Sequence, residues 1–370
     1  MNSKDNVTTK STTGRRSFIK GLGMVGAAAL PIATMLTSPR IARAGRLGRG
    51  DTAILRFLAA AELIEADLWT QYAELGGIGD NPPIELDSGQ TLNTYQSALS
   101  NLDSDGPQYI TSNTLDEVSH AEFLNAYLMS KDAEPVDFDK FRTLQGSTAT
   151  GSSNIGRLTN LMNLNVDTSW FVRYRSTANP DFGDTFPQAV QITNKTAIPV
   201  DDSDFQNAQH IQAIANTAAF HFGYIEQGGL SLYAAMSQKV SEQAVLQITL
   251  GIGGDEIAHF LEWVDFAGNA VQQPVAPLTD PKTGLTFPDF FNDPPLQPPE
   301  LVQPSLIFPV PCQFISDKLP DVAVIRPISD RFGGAVATIA SFIDDGLFEG
   351  QGKDFINELQ KMAKEADAAG

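Results

Sequence analysis

Apolar residues recur at helical spacing across residues 51–75, where Ile54, Leu55, Leu58, Ala61, Leu68 and Trp69 form a stripe compatible with one core-facing helix side. Asp51 or Thr52 can cap this helix, and Gly76-Gly77 can stop it. Thr114 can cap a second helix through about Ser130, ended by the polar run before Pro135. Ser203 or Asp204 can begin a third reaching about Ser237, and Ser241 a fourth reaching about Phe266. The pattern predicts an all-α chain built on four principal helices. Gly251, Gly253 and Gly254 weaken the fourth, and allow a close helix approach or a local bulge.

Two stretches break the pattern. Residues 131–204 are rich in Ser, Thr, Asn and Gly; within them 154–165 reads as a short helical piece, and Trp170-Phe171-Val172-Arg173-Tyr174 has the aromatic density of a strand or a packed turn. This stretch is expected to cap one end of the helical body. Residues 272–311 contain eleven prolines, which exclude regular helix. Beyond them, 330–348 and 353–368 read as two further helices, the second a charged amphipathic tail. The chain therefore divides into residues 45–268, with an insertion at about 131–204, and a Pro-rich extension with C-terminal helices at 269–370.

Residues 1–44 read differently again. Arg15-Arg16-Ser17-Phe18-Ile19-Lys20 precedes a short apolar run interrupted by glycines and Pro31, and Ala42-Arg43-Ala44 follows. This resembles a twin-arginine export signal with an Ala-x-Ala cleavage site; the apolar run has the length of a signal's hydrophobic region and suits a cleaved signal better than the alternative, an uncleaved membrane anchor. It predicts the twin-arginine export machinery as a partner and a periplasmic or extracellular location. The 370 residues carry a formal charge of −19; residues 1–44 hold seven of the 25 basic and one of the 44 acidic residues, so the remainder stands at −25. A field of that sign repels nucleic acid and concentrates cations, besides keeping the protein soluble. The single cysteine, Cys312, excludes an intramolecular disulfide and reads as an apolar filler.

Against this background one pattern occurs twice: Asp116-Glu117-Val118-Ser119-His120 and Asp255-Glu256-Ile257-Ala258-His259, in a chain with only four histidines. Glu and His three apart project from one helix face and can chelate one ion or bridge two. Glu62 lies on the helix before the first copy and Glu226 on the helix before the second, so the chain reads Glu, Glu-x-x-His, Glu, Glu-x-x-His. That is the order a dinuclear carboxylate site in a four-helix bundle requires. Glu65, one turn after Glu62, competes with it as the first helix's ligand. Each motif alone also reads as an ordinary solvated Asp-Glu run.

These motifs, with His120-Ala121-Glu122-Phe123-Leu124, resemble the ferritin-like superfamily and its secreted, desiccation-related branch. The resemblance covers about residues 51–130 and 205–268. It implies a ferritin-like four-helix bundle whose long crossover between helices two and three carries the insertion. It also implies two iron or two manganese ions, bridged by Glu117 and Glu256, terminated by His120 and His259, and capped by Glu62 and Glu226. By the same likeness, Asp116 holds His259 and Asp255 holds His120, fixing ring orientation. Metal ions and small oxidants are then the partners, in ferroxidase, peroxidase or manganese-catalase-like chemistry. The alternative is a non-enzymatic stress or desiccation-protection protein with a structural or vestigial site. A homo-oligomer is compatible with this class; in a hollow storage shell the two insertions would obstruct close packing.

Seven residues along a helix return to nearly the same face, so Trp69, Tyr127, Tyr233 and Trp263 follow Glu62, His120, Glu226 and Glu256. They read either as oxidisable aromatics beside a metal or as core. His210 and His221 lie roughly 160° and 140° around the helix from Glu226 and are expected to face away from the ligands, as surface or satisfied core residues. Glu122 and Glu262 point off the inner face.

Overall fold

The computed structural model describes residues 45–78, 92–175, 186–268, 278–288, 316, 318–324 and 333–369. The export signal at 1–44, most of the Pro-rich stretch and Cys312 lie outside the described residues. The described chain is predominantly helical: α1 (Arg49–Gly76), α2 (Thr94–Leu102), α3 (Gly106–Ser130), α4 (Ser169–Arg175), α5 (Ala208–Ser237), α6 (Gln243–Gly268), α7 (Ala335–Asp344) and α8 (Lys353–Asp367). Two short antiparallel pairs complete it, β1 (Leu144–Gln145) with β2 (Gly156–Arg157) and β3 (Leu278–Thr279) with β4 (Thr286–Phe287). No helix of the described residues is long and apolar enough to cross a membrane.

The four long helices pack as α1 on α3 and α5 on α6, with α3 also meeting α6. Their shared interior is aromatic: Trp69 stacks on Trp263 and Phe222, and Tyr72 meets Phe222 edge-on. Full burial of such side chains stabilises by roughly 1.5–3 kcal/mol each. Two glycines let α5 and α6 approach. A Cβ on Gly253 would come within 2.8 Å of Tyr233 Cβ, and one on Gly229 would strike the Glu256 carboxylate. Of the α6 glycines only Gly253 serves this approach, since a Cβ on Gly251 or Gly254 would meet nothing within 4 Å, and the helix runs through all three without a bulge.

Several boundaries differ from the sequence reading. The second long helix begins at Gly106 with Pro107 in its first turn, and Thr114 sits inside it, its hydroxyl donating to the Ile110 and Trp69 carbonyls. Asp51 does not cap its own helix. Its carboxylate accepts from the Ser241 and Glu242 amides and the Ser241 hydroxyl, and so closes the N-terminal end of α6. A 3₁₀ turn at Asp202–Gln206 precedes α5, whose cap is Asn207. Helix α2 was missed, although Asn93 and Gln96 form a reciprocal capping box that the sequence carries in plain form.

Residues 154–165 are extended rather than helical, because Asp67 of α1 draws the Leu158 and Thr159 amides and the Thr159 hydroxyl onto one oxygen. Asp67, Gln71 and Glu74 together form the α1 face on which this stretch is tied down, with Arg142 on Asp67 and Arg157 on Glu74. The segment around Trp170 is the helix α4, not a strand. Its aromatic density serves packing on α5, where Gly223 leaves room for the Trp170 ring and the Phe220 carbonyl accepts its Nε1–H at 3.0 Å. In the C-terminal region α8 buries Phe355, Leu359, Met362, Ala363 and Ala366 against α1 and α7.

Candidate metal centre

One Glu from α1, a Glu-His pair from α3, one Glu from α5 and a Glu-His pair from α6 point into the same interior. The structure brings Glu62, Glu117, His120, Glu226, Glu256 and His259 together, all buried. They form two overlapping groups, each with donor atoms within 4.8 Å of one another: Glu62, Glu117, His120 and Glu256, and Glu117, Glu226, Glu256 and His259. Glu117 and Glu256 belong to both. Glu117 Oε2 lies 3.4 Å from His120 Nδ1, and its Oε1 lies 3.1 Å from His259 Nδ1. Glu62 Oε2 is 3.3 Å from His120 Nδ1, and Glu226 Oε2 is 3.4 Å from His259 Nδ1.

Both imidazoles turn Nδ1 inward and Nε2 toward solvent, with ring centroids 6.5 Å apart. Each Nε2 meets the Asp of the other motif: His120 is 3.2 Å from Asp255 Oδ2, and His259 is 3.3 Å from Asp116 Oδ2. These aspartates are half-exposed at the seam of α3 and α6, and form the polar rim between the ligands and water. A second exchange runs between α1 and α5. Trp69 Nε1 donates to Glu226 at 3.1 Å, and the Tyr233 hydroxyl donates to Glu62. Sequence reasoning placed these two aromatics by heptad spacing on the ligand face of their own helices, but each bonds the ligand of the other. Trp263 donates instead to Asn113 at 2.8 Å, and Tyr127 is half-buried, stacked on Phe123.

The electrostatics are those of a buried acidic cluster that holds protons tightly. Glu62 Oε2, Glu117 Oε1, Glu226 Oε2, both Glu256 oxygens and His259 Nδ1 are buried with no hydrogen-bond partner among the described residues. Unsatisfied buried polar atoms are rare and call for an explanation such as an ion. Burial pushes the Glu117 carboxyl up to about 7, against the pull of the two imidazoles, and raises Glu256 well above the carboxylate range, helped by Glu117. Burial opposes charge on His120, yet its bonds to Asp255, Glu117 and Glu62 carry the ring up to about 12; His259 is raised likewise by Asp116, Glu117 and Glu226. Glu65 is buried beside the cluster but outside both donor groups, and burial with the charges of Glu117, Glu62 and Glu226 raises its carboxyl strongly.

The remaining histidines are elsewhere. His210 and His221 lie away from the ligands, as the helical phase requires, but neither reaches the surface, because other segments cover them. His210 is clamped between Asp204 and Asp280, each 3.0 Å away, which fixes the β3–β4 hairpin to the start of α5. His221 lies between Tyr72 and Asp345. Glu122 is exposed, and Glu262 accepts from Asn113 at 3.1 Å.

The donor set of carboxylate oxygens and imidazole nitrogens, without thiolate, fits hard or borderline ions such as iron or manganese. No family model, no curated protein and no solved structure matches the chain.

Proposed function

We propose that this protein is an exported ferritin-like four-helix bundle holding a dinuclear iron or manganese centre for redox chemistry on oxygen, peroxide or the metal ion itself. In this reading α1, α3, α5 and α6 are the bundle, residues 131–204 lie in its long crossover, and residues 1–44 direct export. The observation that carries it is the convergence in one interior of buried Glu and His donor atoms from four helices, several of them without a hydrogen-bond partner among the described residues. Protein alone fills that arrangement with protons, on the two imidazoles and on the raised carboxyls. With Glu65 protonated, the carboxylates of Glu62, Glu117, Glu226 and Glu256 match two divalent cations in charge.

Glu117 and Glu256 would be shared between the ions, His120 and His259 would each hold one through Nδ1, and Glu62 and Glu226 would complete the set. Such a pair supplies one-electron couples and open coordination positions for a small oxidant. The chain's own residues do the rest: Asp116 and Asp255 orient the imidazoles, Trp69 and Tyr233 hold Glu226 and Glu62, and the aromatic interior excludes water. Elemental analysis of protein folded in iron- or manganese-supplied cells tests the assignment. Two ions per chain, lost in Glu117→Ala, are expected; metal-free protein from both preparations would overturn it.

A second reading is favoured by the near-complete burial of the ligands. An ion pair tying four helices together acts as a structural staple in a stress-protection protein. Peroxide consumption by the metal-loaded protein separates the two: a loaded but inert protein is a stapled one.

A further inference from the structure

Ten residues after Glu62 on α1, the Tyr72 hydroxyl lies 2.7 Å from His221 Nδ1, and His221 Nε2 lies 2.9 Å from Asp345 Oδ2. The three residues are buried to 1% exposure or less, and come from α1, α5 and the turn after α7. With Asp345 ionised, an Nε2–H donated to its carboxylate leaves the Nδ1 lone pair free to accept from Tyr72. The other Asp345 oxygen, Oδ1, has no hydrogen-bond partner among the described residues. An aromatic path joins it to the metal-ligand cluster. Tyr72 lies 5.7 Å, centroid to centroid, from Trp69, whose Nε1–H is bonded to Glu226.

We propose that Tyr72 is a redox-active tyrosine, giving up one electron through Trp69 toward an oxidant at the Glu/His cluster while its hydroxyl proton crosses to Nδ1 of His221. The oxidant is a high-potential one-electron acceptor of the class that peroxide or oxygen provides at a redox site. It gains one electron, Tyr72 loses one, and the O–H bond is exchanged for an N–H bond. Tyr72 becomes a neutral phenoxyl radical and His221 an imidazolium facing the Asp345 carboxylate; a reductant returning the electron draws the proton back. Burial holds the phenol's ionisation well above the ordinary range, so proton loss does not precede electron loss, and His221 takes the proton as the electron leaves or after it. The C-terminal region thereby gains a role: Asp345 makes His221 a directed base. The result is an oxidising equivalent held away from the carboxylate ligands. The step rests on the redox reading of the cluster only for the source of its oxidant.

The test therefore starts without metal. Full-length apoprotein is photo-oxidised with tris(bipyridine)ruthenium and persulfate, freeze-trapped, and examined by electron paramagnetic resonance. A neutral tyrosyl signal is expected that is largely lost in Tyr72→Phe and short-lived in His221→Gln, with unchanged circular dichroism. High-field spectra of the wild-type radical should carry the g-shift of a hydrogen bond from an imidazolium, which decides the matter even where a variant fails to fold. An undiminished signal in folded Tyr72→Phe, or a wild-type radical without that bond, overturns the proposal. Adding hydrogen peroxide to iron-loaded protein is the companion experiment. Failure to load iron sinks the metal reading alone, because the photochemical result stands without it.

Discussion

A Cβ on Gly229 of α5 would come within 3.0 Å of Glu256 Cδ on α6 and closer still to Oε2, so the backbone of one helix forms the wall behind the carboxylate of the next. In a helix interior, Gly→Ala ordinarily stabilises by about 0.5–1 kcal/mol. Here Gly229→Ala should lower metal content, because Glu256 must leave its position. Elemental analysis beside thermal melting checks this; full metal content would mean that Glu256 is free to move.

Glu256→Gln should separate the two states of the protein. Burial, helped by the Glu117 charge, holds the Glu256 carboxyl well above the carboxylate range, so the neutral amide resembles the protonated acid of the metal-free form. Metal-free stability should then change by less than about 1 kcal/mol, the scale of one net hydrogen bond. The same change should abolish most metal binding. Denaturant melts with and without added iron read out both effects.

Asp116→Ala should weaken metal binding by roughly 10–100-fold, the usual effect of losing a hydrogen-bond partner behind a metal-bound histidine. It touches His259 Nε2 and no inward-facing donor atom. Metal titration on samples with matched circular dichroism measures it, and unchanged affinity would reduce Asp116 to a solvated charge.

Stability of the metal-free protein should fall as pH rises. The Glu117 carboxyl, raised by burial from 4.5 to about 7, keeps its proton in the folded chain after the unfolded chain has lost it. Its contribution is full below about 4.5 and lost as pH rises to about 7. His120, raised from 6.5 to about 12, acts with the same sign from 6.5 upward. Metal ions bound at the cluster would replace these protons, so stabilisation by added metal should grow between pH 5 and pH 8, roughly the span in which protons are displaced. Melting temperatures across that range, with and without metal, provide the comparison.

His210→Ala should leave metal content unchanged while loosening the β3–β4 hairpin from α5. His210 joins Asp204 to Asp280, and its loss leaves both carboxylates without their central donor. A destabilisation of about 1–3 kcal/mol is expected for a broken buried network. Proteolysis within 278–288 should accelerate; equal metal loss here and in Glu117→Ala would undo the distinction between clamp and cluster.

The convergence of the Glu and His side chains was legible because each position depends only on the phase of one helix. A three-residue spacing fixes Glu117 with His120 and Glu256 with His259 wherever the helices begin, so the nine-residue offset between the expected cap, Thr114, and the actual one, Asp105, did no harm. The surroundings of His210 and His221 were not legible. Their partners Asp280 and Asp345 stand 70 and 124 residues away, and helical phase says only where a side chain does not point. Asp51 misled for a related reason: a helix-capping residue type sat near a helix start but served the end of a different helix. The segment around Trp170 read as a strand or a packed turn, and proved a helix, because aromatic density signals burial without saying against what.

That same bond from Asp51 to Ser241 spans 190 residues, and it has a consequence for biosynthesis. The end of α6 is closed by a carboxylate made near the start of α1, and α6 also carries the last pair of inward donors. A nascent chain lacking α6 has neither Glu256 nor His259, and only half of the cluster's paired motif. Long-range closure of this kind is slow relative to helix formation. The full donor set can therefore exist only once α6 has been made, more than 200 residues after α1 begins.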